Sequence, residues 1–319
     1  MQSNPMICGV DVAMDELVVH RLEHTAFQRL HNSAGEIRSW LRQLPKGSIV
    51  AMESTGQYHQ LLARLAHEAG MRVFVLNARR VYFYARSLEV RGKTDRVDAG
   101  VIARYVSEHG DKLHEWRPPC ATHSRIDELM RRRAVVVVKR ESLRQSMRGC
   151  KDLQTEFKKL DRAVESFVRC IDRKIDELIK ADETLRASRR VIDTVPGFGP
   201  QGSALLTVLL ERLPFASSDS LVAYSGWDPR PDDSGRKHGR RKLTKCGPSY
   251  LRKQWFMVGF SAAHAKAIKP LYEALLARGL ASTEACVILA RKLLRAAFAV
   301  WKSKKPFDLD IFLRRPQSA

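Results

Sequence analysis

Four acidic residues in this 319-residue chain stand where chemistry could be done: Asp11, Glu53, Asp95 and Asp98. Asp11 follows the apolar run Ile7-Cys8-Gly9-Val10, and Glu53 ends the run SIVAM, just before Ser54-Thr55-Gly56. Asp95 and Asp98 lie in GKTDRVDA, at the start of an expected helix, and being i and i+3 they share one helix face. Carboxylates brought to one place repel each other unless a cation joins them. Magnesium takes oxygen ligands, and two such ions about 3.5–4 Å apart can stabilise both the attacking and the leaving oxygen at phosphorus. The chemistry implied is magnesium-dependent attack on a phosphodiester. Asp95 and Asp98 also have a purely local reading: acids in a first helical turn suit the helix dipole, with Thr94 as the cap.

The elements that must position these acids can be read from the pattern of apolar runs. MICGVDVAMDELVVHRLEHTAFQRLHN contains three β-rich runs with turn-sized gaps, which predicts an antiparallel meander. A short helix around Glu36 to Leu44, the strand SIVAMES, a helix over Gln57 to Ala69, the strand MRVFVL and a helix from near Asp95 follow. The order βββαβαβα is that of the ribonuclease H architecture, although other α/β folds begin in a similar way. In that architecture the strands carrying Asp11 and Glu53 are neighbours.

From about Thr122 to Arg190 glycine and proline nearly vanish. Apolar residues recur at Leu153, Phe157, Leu160, Val164, Phe167, Ile171, Ile175 and Leu178, a heptad seam. Two long helices on either side of Gly149 are expected, packed as a hairpin within one chain or as a coiled coil between chains. The second would be roughly 30 residues and about 45 Å long. The last third reads as mostly helical. In TVPGFGPQGSALLTVLL, Gly197 and Gly199 make either a phosphate-holding turn or an ordinary one between helices. The expected domains are 1–120, α/β and ribonuclease H-like; 121–190, a helical coiled-coil linker; and 191–319, mostly α.

Against 35 acidic residues stand 56 lysines and arginines, a formal charge of +21, which points to a polyphosphate partner. The charge is spread along the chain and not gathered on one amphipathic helix, which argues against a membrane-surface role. With no bilayer-spanning apolar run and no secretory signal, the expected location is the cytoplasm. Six scattered cysteines without a C-x-x-C pair read as reduced thiols, so a metal here would be held by oxygen. Two basic clusters are candidates for nucleic-acid contact. Arg236, Lys237, Arg240, Arg241, Lys242, Lys245, Arg252 and Lys253 would hold a phosphate backbone. NARRVYFYARSLEVRGK interleaves Arg79, Arg80, Arg86, Arg91 and Lys93 with Tyr82, Phe83 and Tyr84, mixing phosphate contacts with stacking rings, some of which face the core.

The segments GVDVAMDELVV, AMESTGQY, GKTDRVDAGVIARYV, VPGFGPQGSALL, AYSGWDPRPDDSG, RRKLTKCGPSYLRK and WKSKKPFD resemble, in order and spacing, the DEDD transposases of bacterial insertion-sequence family one-ten, including its eleven-eleven subgroup. The resemblance spans nearly the whole chain. It implies a RuvC-like N-terminal domain carrying Asp11, Glu53, Asp95 and Asp98 on magnesium, and a C-terminal transposase domain with a catalytic serine, here Ser234. It also implies a structured guide RNA (bridge or seeker RNA), donor and target DNA, assembly as a dimer of dimers, and a place at the bacterial nucleoid. A serine ester of DNA conserves the energy of the broken bond, so strands can be rejoined without ATP, but the hydroxyl needs a base or a metal to activate it. From residue pattern alone Ser234 reads as a turn residue, and Ser225 and Ser249 are rivals, the latter explained by helix capping. The alternative is a metal-only nuclease of the Holliday-junction type, in which the acids activate water and Ser234 has no covalent role. A non-catalytic nucleic-acid-binding descendant is the third reading. No helix-turn-helix or zinc finger is evident, consistent with sequence being read by base pairing to RNA.

Overall fold

The computed structural model describes residues 5–24, 26–54, 58–88, 95–230, 233–234, 237–238 and 242–314; for 95–97, 233–234 and 237–238 only the backbone is described. The chain divides into two compact units, Met1–Pro119 and Cys120–Ala319.

The first unit is built on strands β1 (Ile7–Val12), β2 (Glu16–Arg21), β3 (Phe27–His31), β4 (Ile49–Glu53) and β5 (Arg72–Leu76). Their spatial order is β3-β2-β1-β4-β5. The first three form the expected antiparallel meander, and β4 and β5 add to β1 in parallel. This mixed sheet has the strand order and directions of a ribonuclease H-like fold. Helices α1 (Ala34–Leu41), α2 (His59–Glu68), α3 (Ala78–Ser87) and α4 (Asp95–His109) complete the unit.

Side chains alternate across a strand, so each face of the sheet has its own core. Cys8, Val10, Val50 and Met52 pack with Ile37, Trp40 and Leu62 of α1 and α2. Ile49, Ala51, Phe74 and Leu76 pack with Val81, Ile102 and Val106 of α3 and α4. Helix α3 was not anticipated from sequence. Its start is fixed by Asn77, whose side chain accepts a hydrogen bond from the Arg79 amide at 2.9 Å.

Helix α4 lies unusually close to the sheet. A methyl group at Gly9 would overlap the carbonyl oxygen of Ala99 and the amide of Ala103, and would stand 3.0 Å from the Ala103 Cα. Only glycine lets the backbone of α4 rest directly on β1.

The second unit begins with α5 (Ala121–Ser146) and α6 (Gln154–Ala181), joined through Gly149 at φ +88°. Then come α7 (Glu183–Ile192), α8 (Pro200–Arg212), α9 (Ser218–Tyr224), the short strands β6 (Pro229–Arg230), β7 (Asp233–Ser234), β8 (Lys237–His238) and β9 (Lys242–Leu243), and helices α10 (Ser249–Ala263), α11 (Lys269–Ala277), α12 (Ser282–Ser303) and α13 (Leu309–Arg314). Gly197 has φ +86°, and a methyl there would strike the Val258 carbonyl and stand 2.8 Å from the Ala262 side chain of α10. Packing is therefore reason enough for a glycine in that turn.

The α5–α6 hairpin departs from a continuous apolar seam. Near its base Val168, Ile171, Ile175 and Ile179 are buried, and Ile126, Leu129 and Met130 of α5 join the core formed with α8, α10 and α12. Farther out Leu153, Leu160 and Phe167 are at least half exposed. The reason is angular: at about 100° per residue Phe157, Val164, Ile171 and Ile175 stay on one line, at least partly buried along the helix, whereas Leu160 and Phe167 stand roughly 60–80° to one side of it. Ion pairs take over in the outer half. Arg140 grips Asp161 through Nε at 2.7 Å and Nη2 at 2.9 Å and also reaches Glu165, while Arg144 holds Asp161 from the next turn.

These two guanidiniums hold the Asp161 carboxyl well below the usual carboxylate range. A carboxyl depressed in the folded state stabilises that state fully above its unfolded pKa, near 4, and progressively less as pH falls toward the depressed value. Arg140→Gln is therefore expected to lower the melting temperature by about 3 °C at pH 7, and the deficit should shrink below about pH 4. Thermal melts followed by circular dichroism at pH 7, 4 and 3 check this, and a constant deficit at all three would refute it.

Candidate active site

The sheet brings the first two acids together. Parallel pairing sets Val10 opposite Met52, and Asp11 and Glu53 are the next residues on each strand. Val10 and Met52 point into one core, so the following residues point to the other face, the one bearing Gly9 and Ala51. Both acids are partly buried. Helix α4 crosses that same face at Gly9, touching it through Ala99 and Ala103, and Asp98 is the residue just before that contact. Asp95 opens α4, but its side chain lies outside the described part of the structure, as do Arg91, Lys93 and Thr94 entirely.

Among the described residues, no three His, Cys, Asp or Glu side chains form a group that could hold a metal ion. Carboxylate oxygens carried on two adjacent strands and on the helix laid across them are nonetheless donors of the kind a hard divalent cation takes. Sequence reading missed Gly9, the residue that permits this approach. Its cue, a glycine inside an otherwise β-branched and apolar strand two residues before an acid, was present.

Ser234 stands on a β-arm in the second unit. Strands β6 and β9 pair through Pro229–Leu243 and Arg230–Lys242, and β7 and β8 through Asp233–His238 and Ser234–Lys237. The serine backbone is thus placed opposite Lys237; its side chain and those of Asp233, Lys237 and His238 are not described, and Arg236, Arg240 and Arg241 lie outside the described residues.

The foot of the arm is tightly built. A methyl at Gly226 would stand 2.5 Å from the Gly247 amide, and one at Gly247 would overlap the Tyr224 carbonyl. The two chain segments therefore cross backbone on backbone. The Thr244 hydroxyl donates to Asp228 at 2.5 Å, the Lys245 amide donates to the Gly226 carbonyl at 3.0 Å, and Arg252 donates to the carbonyls of Lys245 and Gly247. Arg252 thus helps to hold the foot. Lys242, Lys245 and Lys253 are exposed.

The rival serines have other occupations. Ser225 is fully buried, donates to the Leu221 carbonyl at 3.0 Å and accepts from Trp255 Nε1 at 2.9 Å. A hydroxyl so committed has no exposed lone pair for attack. Ser249 is the first residue of α10, and Pro248 occupies the cap position before it. Arg291 on α12 is partly buried; burial and the nearby Arg295 disfavour its charge, against the opposing pull of Asp228 and Asp219.

The chain thus joins a ribonuclease H-like unit with carboxylates at two adjacent strand ends to a mostly helical unit that carries Ser234 on a short β-arm. A transposase family of the DEDD type matches residues 8–155, and the transposase family IS116/IS110/IS902 matches residues 189–273. The chain belongs to this family of transposases and is a DNA transposase/recombinase. It is similar to the pilin gene-inverting proteins of Moraxella lacunata and Moraxella bovis, 26% identical to each over 95% of this chain and 98% of theirs. Among solved structures it is similar to Thermus thermophilus RuvC, alone and with a Holliday junction substrate, at 16% and 15% identity, 34% of this chain and 96% of that chain, with TM-scores of 0.25 and 0.28. The observed strand order, and not this likeness, carries the fold assignment. No helix among the described residues is long and apolar enough to cross a membrane.

Proposed function

We propose that this chain is an RNA-guided recombinase that moves its own insertion sequence, with Asp11, Glu53, Asp95 and Asp98 as the magnesium ligands and Ser234 as the nucleophile. The observation that carries this reading is the register of β1 and β4, which sets Asp11 beside Glu53 on the face crossed by α4. Bound there, magnesium would supply a Lewis acid for the scissile phosphate. Ser234 Oγ forms a bond to phosphorus, the bond from phosphorus to one deoxyribose oxygen breaks, and the serine proton ends on that oxygen. The reverse step, with a hydroxyl of another strand, rejoins the DNA and frees the serine.

The relatives' description as gene-inverting proteins favours rejoining over cutting alone, because an inversion requires every broken end to be resealed. It supports this reading over that of a metal-only nuclease. In the proposed division, residues 1–120 hold the carboxylates, 121–190 form a helical linker and 191–319 carry the serine. The charge of +21 suits a protein that holds a guide RNA together with donor and target duplexes. The working form is a homo-oligomer, a dimer of dimers, at the nucleoid.

The experiment is to purify the protein from cells that also carry its flanking non-coding DNA, sequence the co-purified RNA, and incubate the complex with magnesium and both duplexes. A discrete RNA and a magnesium-dependent protein–DNA adduct are expected. Magnesium-dependent cutting with neither RNA nor adduct would establish the nuclease instead.

A further inference from the structure

Helix α3 carries two stripes. Val81, Tyr84, Ala85 and Leu88 turn inward: Val81 is in the core against α4, the other three pack on that core, and the Tyr84 hydroxyl donates to Glu108 at 2.6 Å. Arg79, Tyr82, Phe83 and Arg86, at i, i+3, i+4 and i+7, turn the opposite way and are exposed. The two rings of this outer stripe are more than half exposed, Tyr82 57% and Phe83 53%, and meet edge to face with centroids 5.5 Å apart. Each has a guanidinium over it, Arg79 at 5.4 Å from the Phe83 centroid and Arg86 at 6.0 Å from that of Tyr82. Arg80 is exposed beside them.

A helix normally keeps one face apolar; here the sheet accounts for one face and leaves two aromatic rings on the other. The outer stripe has no acid on its own helix, and on α4 Glu108 is already engaged by Tyr84 and Arg104. A second copy of the chain would bring the same arginines face to face, so like charge opposes self-association through this stripe. A polyanion with flat, apolar faces matches it: arginines take phosphates while rings take bases.

Location narrows the partner further. Helix α3 starts at Ala78, with Asn77 alone between it and Leu76, the last residue of β5, and Leu76 is the pairing partner of Glu53. The stripe therefore belongs to the helix that leaves the sheet at the same end of the strands where Asp11 and Glu53 stand.

We infer that the Tyr82–Phe83 pair is a stacking site for an unpaired base of the DNA strand, so that this unit favours DNA opened at the cut over intact duplex. The choice of DNA as occupant rests on the carboxylates acting on DNA. The stacking itself needs no metal and can be tested separately.

The test uses the full-length protein in EDTA, with two otherwise identical duplexes, one fully paired and one with a single unpaired 2-aminopurine. Binding is followed by anisotropy and by quenching of the 2-aminopurine. Wild type should bind the unpaired DNA more tightly and quench it. Phe83→Ala and Tyr82→Ala should each weaken binding to it by roughly 5- to 150-fold while leaving the paired duplex unchanged. Phe83→Trp, which keeps an aromatic face, should retain the preference, and Phe83→Leu, which keeps apolar bulk without one, should lose it.

Equal affinity for the two DNAs, binding to neither, or equal losses on both would overturn the inference. So would a stronger effect on a single-stranded RNA of the same sequence, which would assign the stripe to RNA, or a change in oligomeric state, which would assign it to a second copy. A protein that cuts DNA without stacking leaves the recombinase reading intact. One that stacks the base but forms no adduct overturns only the latter.

Discussion

Gly9→Ala is expected to destabilise the first unit by about 3 kcal/mol and to abolish magnesium-dependent strand breakage in the protein that remains folded. The added methyl would meet backbone atoms of Ala99 and Ala103, which cannot rotate out of the way as the end of a side chain can. Relief requires moving α4 off β1, and Asp95 and Asp98 move with it. Gly100→Ala is the matched control. It lies one residue from Ala99, but among the described residues its new methyl would meet the His20 ring alone, at 3.7 Å, an ordinary contact. In a helix interior alanine is also favoured over glycine by about 1 kcal/mol. Thermal melts and strand-breakage rates, measured side by side, should show loss in the first variant and none in the second. Two equal losses would mean that close approach of helix and strand is not what positions the acids.

Ser234→Ala should reduce covalent adduct and strand transfer by more than about a thousandfold with no change in melting temperature. Ser225→Ala should do the reverse at first sight: it removes the acceptor for Trp255 Nε1 inside a core and should cost about 1–3 kcal/mol of stability. Its surviving folded fraction should still form the adduct, because the buried hydroxyl takes no part in attack. Gel-resolved adduct assays and melting curves on both variants separate chemistry from support. An adduct undiminished in Ser234→Ala would remove the covalent role from this residue and return it to a turn.

Most of the first unit was legible in the sequence because its strands are short, apolar and spaced by turn-sized gaps. The boundaries of β4 and β5 fall within a residue of the runs SIVAMES and MRVFVL. Helix α3 escaped because its outward stripe is aromatic and arginine-rich, which blurs the polar-against-apolar contrast that periodicity detects. Gly9 could not be explained from its neighbours, since what it makes room for lies some ninety residues along the chain. In the α5–α6 hairpin the two helices were legible, and of the apolar series Phe157, Val164, Ile171 and Ile175 lie on the contact line while Leu153, Leu160 and Phe167 are exposed in the single chain, a difference of helix face that a list of apolar positions does not resolve. At the serine, sequence pattern left three candidates. Burial and the bond from Trp255 set Ser225 aside, which only packing could show.

The change of adhesive along the α5–α6 hairpin has a thermodynamic consequence. Its inner half contributes side chains to the core shared with α8, α10 and α12, and parting there would hydrate apolar surface and raise the heat capacity. Its outer half is joined largely by Arg140 and Arg144 to Asp161 and Glu165, while Leu153, Leu160 and Phe167 already face water. Separating the outer half therefore hydrates mainly the charged groups of Arg140 and Asp161 and little apolar surface, so it raises the heat capacity far less. Added salt reaches that half mainly at its open end, where the Arg144 side chain is 45% exposed, and screens the Arg140–Asp161 pair less because both side chains are 17% exposed; the inner half, like any buried apolar contact, is insensitive to screening. One pair of helices thus responds to ionic strength at one end and to temperature at the other.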